Sequence, residues 1–275
     1  MAGSDEDAAI PGAVRRSPAR YRDGVARVQA DWVAEEVPVA LSFDGEPFAV
    51  MMATPADIAD FALGFALSEG IVDDAGELRI DAIEHTLDGI HVALSLPPER
   101  RSRIAARRRN LEGRSGCGLC GAASIDAVLR PPPAVPHGVA ITPAILAQAL
   151  RLLPAQQRLA RLTGATHAAA WAGIDGNLLA VREDVGRHSA LDKLIGSLAS
   201  AGTDLGTGFC VVSSRASYEM AMKAAQAGMP MLAAISAPTA LAIALAESAG
   251  MTLVGFARGE DCVAYAHPWR LAETD

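Results

Sequence analysis

FCVVSSRASYEMAMKAAQAGMPMLAAISAPTALAIALAESAGMTLVGFA, running from Phe209 to Ala257, holds three short apolar runs, and the first two each lead through a small-polar turn into a helix-like segment. The spacing predicts strands at 209–213, 231–235 and 251–257, joined by helices at 217–227 and 239–249. Upstream, HAAAWAG (167–173) and NLLAVRED (177–184) read as strands around Asp175-Gly176. A helix from about His188 to Ala199 follows them, a helix over 143–162 precedes them, and a strand at 262–266 closes the pattern. Alternating strands and helices predict an α/β unit over 138–275, a largely parallel sheet with helices on both faces. Residues 224–246 carry no formal charge and would suffice in length for a bilayer. Gly228, Pro230, Ser236, Pro238 and Thr239 divide them into strand, turn and buried helix instead, so no membrane span is expected.

Outward from that unit, residues 26–137 read as a smaller α+β unit. Trp32–Val50 turns at Asp44-Gly45 like a hairpin. In TPADIADFALGFALSEG, Thr54 suits an N-cap, Pro55 the first turn and Asp57 an acidic capping box. Ile58, Phe61, Ala62 and Phe65 mark its buried face and Gly70 its stop. Two short strands are expected within 80–96, and Pro131–Pro136 reads as a linker. Residues 1–25 read as a flexible tail. No apolar region follows Arg15-Arg16, which argues against a secretory or twin-arginine signal and for a cytoplasmic protein.

The chain has 275 residues, is 51% hydrophobic and carries a net charge of −8. That apolar content excludes a disordered chain, and the acidity argues against a general nucleic-acid binder. The mean hides an island: residues 100–114 hold seven arginines against Glu112, a local +6 that leaves −14 on the rest.

Just past the island lies RSGCGLCG (Arg114–Gly121). Glycines at 116, 118 and 121 place Cys117 and Cys120 in a turn rather than a packed core. Nearby positive charge favours thiolate, the nucleophilic form. A structural zinc site lacks a second ligand pair, so no metal is expected. A thioredoxin-like dithiol lacks its βαβ context. A zinc deaminase would need His-x-Glu and Pro-Cys-x-x-Cys, and Gly116 stands where the proline would be. Covalent sulfur or acyl carriage by one activated cysteine is the remaining chemistry, with an inert loop as the plainer reading. Cys210, within an apolar run, reads as inert core, and Cys262 similarly.

A second constellation sits at the strand-to-helix turns: Asp184, Gly186, Arg187 and His188; Ser213, Ser214 and Arg215; Ser236 and Thr239. In a parallel sheet these gather at the carboxyl edge, where α/β proteins bind ligands. Helix N-termini and two arginines there suit phosphates, although no Walker or dinucleotide fingerprint is present. The plainer readings are that the Ser and Thr residues are N-caps, that Asp184 pairs with Arg187, and that His188 serves a backbone group.

Taken together, TPADIADFALGFALSEG, SGCGLCG, TGATHAAAW (163–171), REDVGRHSALDKLIG (182–196), SSRASYEMAMKAAQAG (213–228), SAPTALAIALAESAG (236–250) and LVGFARG (253–259) resemble the formate dehydrogenase accessory family of sulfur carriers, the FdhD/NarQ type. The resemblance covers about residues 30–270, with Ser189 and Ser214 standing where the family usually has Asn and Gly. It implies a cytidine-deaminase-like three-layer second domain and a homodimer. It implies a sulfurtransferase that takes persulfide sulfur from a cysteine desulfurase and passes it to the molybdenum cofactor in its bis-guanine-dinucleotide form, for formate dehydrogenase. On the same grounds Cys117 would carry the persulfide, Cys120 would be the second cysteine of the motif, and Phe256, Ala257, Arg258, Gly259, Glu260 and Asp261 would bind the cofactor. A non-catalytic cofactor chaperone and a Cys117/Cys120 dithiol redox protein are the alternatives.

Overall fold

The computed structural model describes residues 10–104 and 131–272. Cys117, Cys120 and Arg107–Arg109 lie outside the described residues. From residue 10 on, the segment expected as a tail forms paired strands. β1 (Ala13–Arg16) pairs with β4 (Asp31–Ala34), and β2 (Ala19–Arg22) with β3 (Val25–Val28). Two features missed in the sequence explain this. Asp23 and Gly24 both take left-handed φ, as a tight hairpin turn requires. Gly12 anchors the base, packed so closely on Thr54 and Leu159 that a Cβ would lie 2.5 Å from the Thr54 methyl.

The small unit is a four-stranded sheet of order β6-β5-β8-β7, built from β5 (Val37–Phe43), β6 (Glu46–Ala53), β7 (Arg79–His85) and β8 (Ile90–Ser95). The Asp44-Gly45 turn takes left-handed φ at both residues, as expected of that hairpin. Helix α1 (Ile58–Ser68) lays Phe61 and Phe65 on the inner face, where Phe43, Phe48 and Phe65 stack edge to face. Burying each such ring contributes roughly 1.5–3 kcal/mol. The start of α1 differs from the sequence reading. Asp57 is the cap residue, in left-handed φ and without a side-chain capping bond, and Thr54 is engaged elsewhere.

The larger unit is a six-stranded sheet of order β10-β9-β11-β12-β13-β14. Its strands are β9 (His167–Gly173), β10 (Leu178–Asp184), β11 (Gly208–Val212), β12 (Met231–Ala234), β13 (Thr252–Arg258) and β14 (Asp261–Ala266). The sheet is mixed rather than largely parallel. Only β11–β12 and β12–β13 pair in parallel, while β9 runs against both of its neighbours. The cause is the Asp175-Gly176 hairpin, which sends β10 back along β9, so the next helix must cross β9 to reach β11. β10, β11, β12 and β13 still point the same way. Helix α2 (Pro143–Gln156) covers one face, over Ala168, Ala170 and Ala172. α4 (Arg187–Ser200), α5 (Tyr218–Gln226) and α6 (Ala240–Ala249) cover the other, over Ala169 and Trp171.

The helix expected over 143–162 breaks at Gln157 into α2 and a short α3 (Arg158–Thr163). Glu183 causes the break by accepting the backbone N–H groups of Leu159 and Ala160, both at 2.8 Å, which gives α3 its own N-terminus. Near the end of the chain, Arg270 is 2% exposed and bonds the carbonyls of His137 (2.5 Å), Gly250 (2.8 Å) and Pro136 (3.1 Å). His137 and Trp269 stack beside it, 4.3 Å between ring centres.

α1 and α4 cross at two glycines. A Cβ on Gly64 would lie 1.7 Å from the Asp192 carbonyl, and one on Gly196 1.9 Å from that of Asp60. Buried charge locks the crossing. Lys193 and Asp184, neither exposed at all, meet at 2.6 Å. Lys193 also donates to the Thr54 carbonyl at 2.9 Å, and the Thr54 N–H donates to Asp184 at 3.0 Å. A second group joins Lys223 to both Asp192 oxygens at 2.9 Å, to Ser68 at 2.9 Å and to Glu69 at 3.2 Å. Each buried ion thus has a charged partner and further hydrogen bonds, the condition under which a buried pair is tolerated.

Candidate functional site

Because β10 to β13 run in one direction, the turns after them collect along one edge of the sheet, as the sequence suggested. Three of these turns are laced together. Ile235 N–H donates to Val212 O at 3.0 Å, Thr239 N–H to Ala216 O at 3.0 Å, and Phe256 N–H to Ser236 O at 3.2 Å. From β10 to β13 is four strand steps, roughly 19 Å at about 4.8 Å each. That length accommodates an extended nucleotide rather than a single small anion.

Three residues placed here by sequence are committed to the framework. Asp184 is fully buried, with its carboxylate taken by Lys193, Thr54 N–H and Gly186 N–H. Burial pushes its pKa up while Lys193 pulls it back. It does not pair with Arg187, and its one bond at the edge is to the Gly186 backbone. Ala257 is buried in the layer under α2, since its strand position points into the core. Thr239 is an N-cap, accepting from Ala242 N–H at 3.3 Å, as the plainer reading had it. Ser213 also has local work: its hydroxyl accepts from Ala168 N–H at 2.9 Å, tying the turn to β9. Ser214 is 5% exposed and donates to the Arg215 carbonyl.

The remaining residues line the edge. Gly186 caps α4 without a side-chain bond, leaving the N–H groups of that helix start to other partners. Arg187, in its first turn, has a buried Nε without a hydrogen-bond partner. Ser217, the cap of α5, has a buried hydroxyl in the same condition. Buried polar atoms without partners are uncommon and mark strain or a missing ligand. His188 Nε2 lies 3.0 Å from Glu219 Oε2, a contact that becomes an ion pair when the ring is protonated. It faces a side chain, not the backbone group expected of it.

His167, which sequence reasoning overlooked, begins β9 directly opposite Asp184. Burial, with Arg187 and His188 close by, holds its imidazole below the ordinary pKa against the pull of Asp184. The signal available was its place in TGATHAAAW, one residue before an apolar strand. Arg215 is exposed.

At the far end, Arg258, Gly259, Glu260 and Asp261 form the exposed β13–β14 turn, and Arg258 Nε donates to the Ile235 carbonyl at 3.0 Å. Phe256 is 43% exposed with φ of 50°, an unusual conformation for an aromatic residue. Gly255 explains it: a Cβ there would come 2.5 Å from Pro238, so the backbone presses on the neighbouring turn and bulges outward at Phe256. A strained, exposed ring beside an arginine offers a stacking surface.

The basic island is smaller in effect than its count. Arg103 grips Asp73 through both nitrogens (2.6 and 2.9 Å), Arg100 pairs with Glu77 (2.5 Å) and Asp73 (2.9 Å), and Arg101 with Asp44 (2.9 Å). Hydrogen bonding from Arg103 holds the Asp73 carboxyl below the usual range. Three of the seven arginines are therefore spent on acids of the small unit. Cys210 is buried and its thiol pushed far up by desolvation, as inert core should be. Among the described residues no cluster suits a metal ion, and no helix is long and apolar enough to cross a membrane.

A family model described as "FdhD/NarQ family" matches residues 34–272. A protein of Xanthomonas euvesicatoria pv. vesicatoria (strain 85-10) named "Sulfur carrier protein FdhD" is 61% identical over 261 residues, covering 95% of this chain and 93% of that one. A protein of the same name from Variovorax paradoxus (strain S110) is 51% identical over 265 residues, covering 95% and 94%. A crystal structure of a protein from Desulfotalea psychrophila, ascribed to formate dehydrogenase accessory proteins, superposes with a TM-score of 0.73. It covers 95% of this chain and all of that one, at 23% identity, and so speaks to the fold.

Proposed function

The chain belongs to the FdhD/NarQ family, and from that premise we propose that it is a cytoplasmic sulfur carrier serving formate dehydrogenase. In this reading the Cys117 thiolate attacks the outer sulfur of a cysteine desulfurase persulfide. One S–S bond breaks, one forms, and the donor leaves as thiolate, with no net oxidation. The sulfur then passes to the molybdenum cofactor in its bis-guanine-dinucleotide form, which is substrate here. Cys120 assists release by closing a Cys117–Cys120 disulfide: the departing sulfur takes two electrons and leaves as sulfide, and a thiol reductant reopens the bridge. The protein acts as a homodimeric sulfurtransferase.

One observation carries the cargo half of the reading. Arg187 Nε and Ser217 Oγ are buried without partners at an edge that also presents Arg215, Arg258 and Phe256. Phosphates supply the acceptors those donors lack, and an aromatic face suits a guanine. The strand order, with two antiparallel strands leading a parallel run, supports the cytidine-deaminase-like reading of the second unit.

The test is mass spectrometry of the intact protein after incubation with a desulfurase and cysteine. The wild type is expected to gain one sulfur atom and Cys117→Ala to gain none. A wild type that stays unmodified would overturn the sulfur chemistry. Full turnover by Cys120→Ala would remove only its part in release.

A further inference from the structure

Between the end of the β10 ladder and the first bond of α4, the N–H groups of Val185 and Gly186 need partners of their own. The ladder stops at Asp184, opposite His167, and α4 closes its first bond from Ala190 N–H to the Gly186 carbonyl. Backbone donors away from water must be paired, and here both are paired by side chains. Val185 N–H donates to Thr54 Oγ1 at 3.1 Å, and Gly186 N–H to Asp184 Oδ1 at 2.8 Å. The other Asp184 oxygen accepts from Thr54 N–H at 3.0 Å and meets Lys193 Nζ at 2.6 Å. Lys193 in turn donates to the Thr54 carbonyl at 2.9 Å. Each of these bonds leads, directly or in one step, to Thr54, a fully buried residue between β6 and α1 of the small unit. Its side chain has little freedom: branching at Cβ restricts χ1, and its methyl packs at Gly12, where a Cβ would come within 2.5 Å of it.

We infer, on the premise that the edge seats a guanine nucleotide, that Thr54 is a positioning residue for that cargo. Being buried, it acts through its neighbours. It sets the path by which the chain enters α4, and so where Arg187, the residue after Gly186, presents its unpartnered Nε. His188 follows on the same turn, beside Glu219 of α5. A donor misplaced by about 1 Å can forfeit most of its worth to a ligand, so a site on a turn needs supporting residues that lock it. β10 is an edge strand with β9 alone beside it in the sheet, and the small unit supplies the support that the sheet lacks there. The second contact between the units is different. There Lys223, Asp192, Ser68 and Glu69 bolt α4 and α5 to the end of α1, and none of the four belongs to the turn.

Calorimetric titration of the full chain with guanosine diphosphate tests it, with cooperative thermal unfolding to show that each variant folds. Thr54→Val keeps the branched shape, removes only Oγ1, and is expected to weaken binding about tenfold. Thr54→Ala removes the same atom with less crowding and is expected to lose as much. Thr54→Ser restores the oxygen and is expected to recover most of the affinity. Ser68→Ala loosens the same joint away from the turn, and is expected to lower the melting temperature while binding as the wild type does. Without ligand, the imidazole NMR signals of His167, opposite Asp184, are expected to shift in Thr54→Val and to stay in place in Ser68→Ala. On an Arg187→Ala background Thr54→Val is expected to cost little more affinity, because one acts through the other. Undiminished binding by Thr54→Val and Thr54→Ala, no recovery with Thr54→Ser, unmoved His167 signals, additive losses with Arg187→Ala, or an equal loss in Ser68→Ala each overturns the inference alone. A wild type that takes up no guanosine diphosphate overturns the cargo reading and the inference with it.

Discussion

REDVGRHSALDKLIG contains two regions with opposite fates. Asp184, Asp192, Lys193 and Gly196 are sunk in the joint between the two units, where every charge is answered. Gly186, Arg187 and His188, interleaved with them, stand at the sheet edge, where the Arg187 Nε has no answer. Adjacent residues of one helix start therefore do different work, because a helix turns successive side chains by about 100°. Charge within a long motif does not by itself mark a ligand site: the joint consumes it for architecture, and only what the joint leaves unsatisfied is free for binding.

Substitutions can break that contrast. Lys193→Met should have the largest effect, because it leaves Asp184 buried without its cation. A loss of about 3–5 kcal/mol is expected in denaturant unfolding. Gly196→Ala should cost about 1–3 kcal/mol by driving a methyl into the Asp60 carbonyl, with a lowered melting temperature as the readout. Arg187→Ala, on the edge side, should leave stability within about 0.5 kcal/mol of wild type. It should weaken guanosine diphosphate binding about tenfold by calorimetry, or about 1.4 kcal/mol. A large stability loss in Arg187→Ala would merge the two regions and defeat the comparison.

His167 sharpens it more finely. Its pKa is held below about 6.5 in the free protein, and an anion seated beside it would raise that value. Nucleotide affinity should then increase a few-fold as pH falls through the bound-state pKa, levelling off below the free one. His167→Gln should flatten this profile. The smallest effect concerns the cysteines. Neutralising Arg107, Arg108 and Arg109 to Gln should raise the Cys117 pKa and slow its alkylation, and a pH–rate profile that does not move would disconnect island and thiol. The pairing of Arg100, Arg101 and Arg103 with Asp73, Glu77 and Asp44 leaves less charge to lose than the sequence count implied.

Local signals read well. Strand and helix bounds from His167 to Ala266 fall within about two residues of those expected, because each element carries its own periodicity and turn chemistry. What failed was decided at a distance. The reversed β9 turns a parallel expectation into a mixed sheet, yet keeps the edge intact. Thr54 looks like a cap and instead bonds a turn 131 residues away. Asp184 looks like a ligand and is a buried counter-ion. The helix glycines 64 and 196 pass as ordinary until the partner backbone is in place. Of the edge, Arg187 and Arg215 were legible as turn residues and Phe256 and Arg258 only through the family resemblance, whereas the role of His167 required the register of β9 against β10.

Arg270 has a consequence for the order in which the molecule is completed. Its guanidinium gathers carbonyls from residues 136, 137 and 250, and these have no claim on it until residue 270 has been synthesised. Domains form from the N-terminal end as the ribosome delivers them, so this seam is among the last places to seal. It fastens the segment that follows the cysteine motif. A chain lacking Arg270 would leave the carbonyls of Pro136, His137 and Gly250 without their shared donor, and the stretch at 136–137 without its tie to the larger unit.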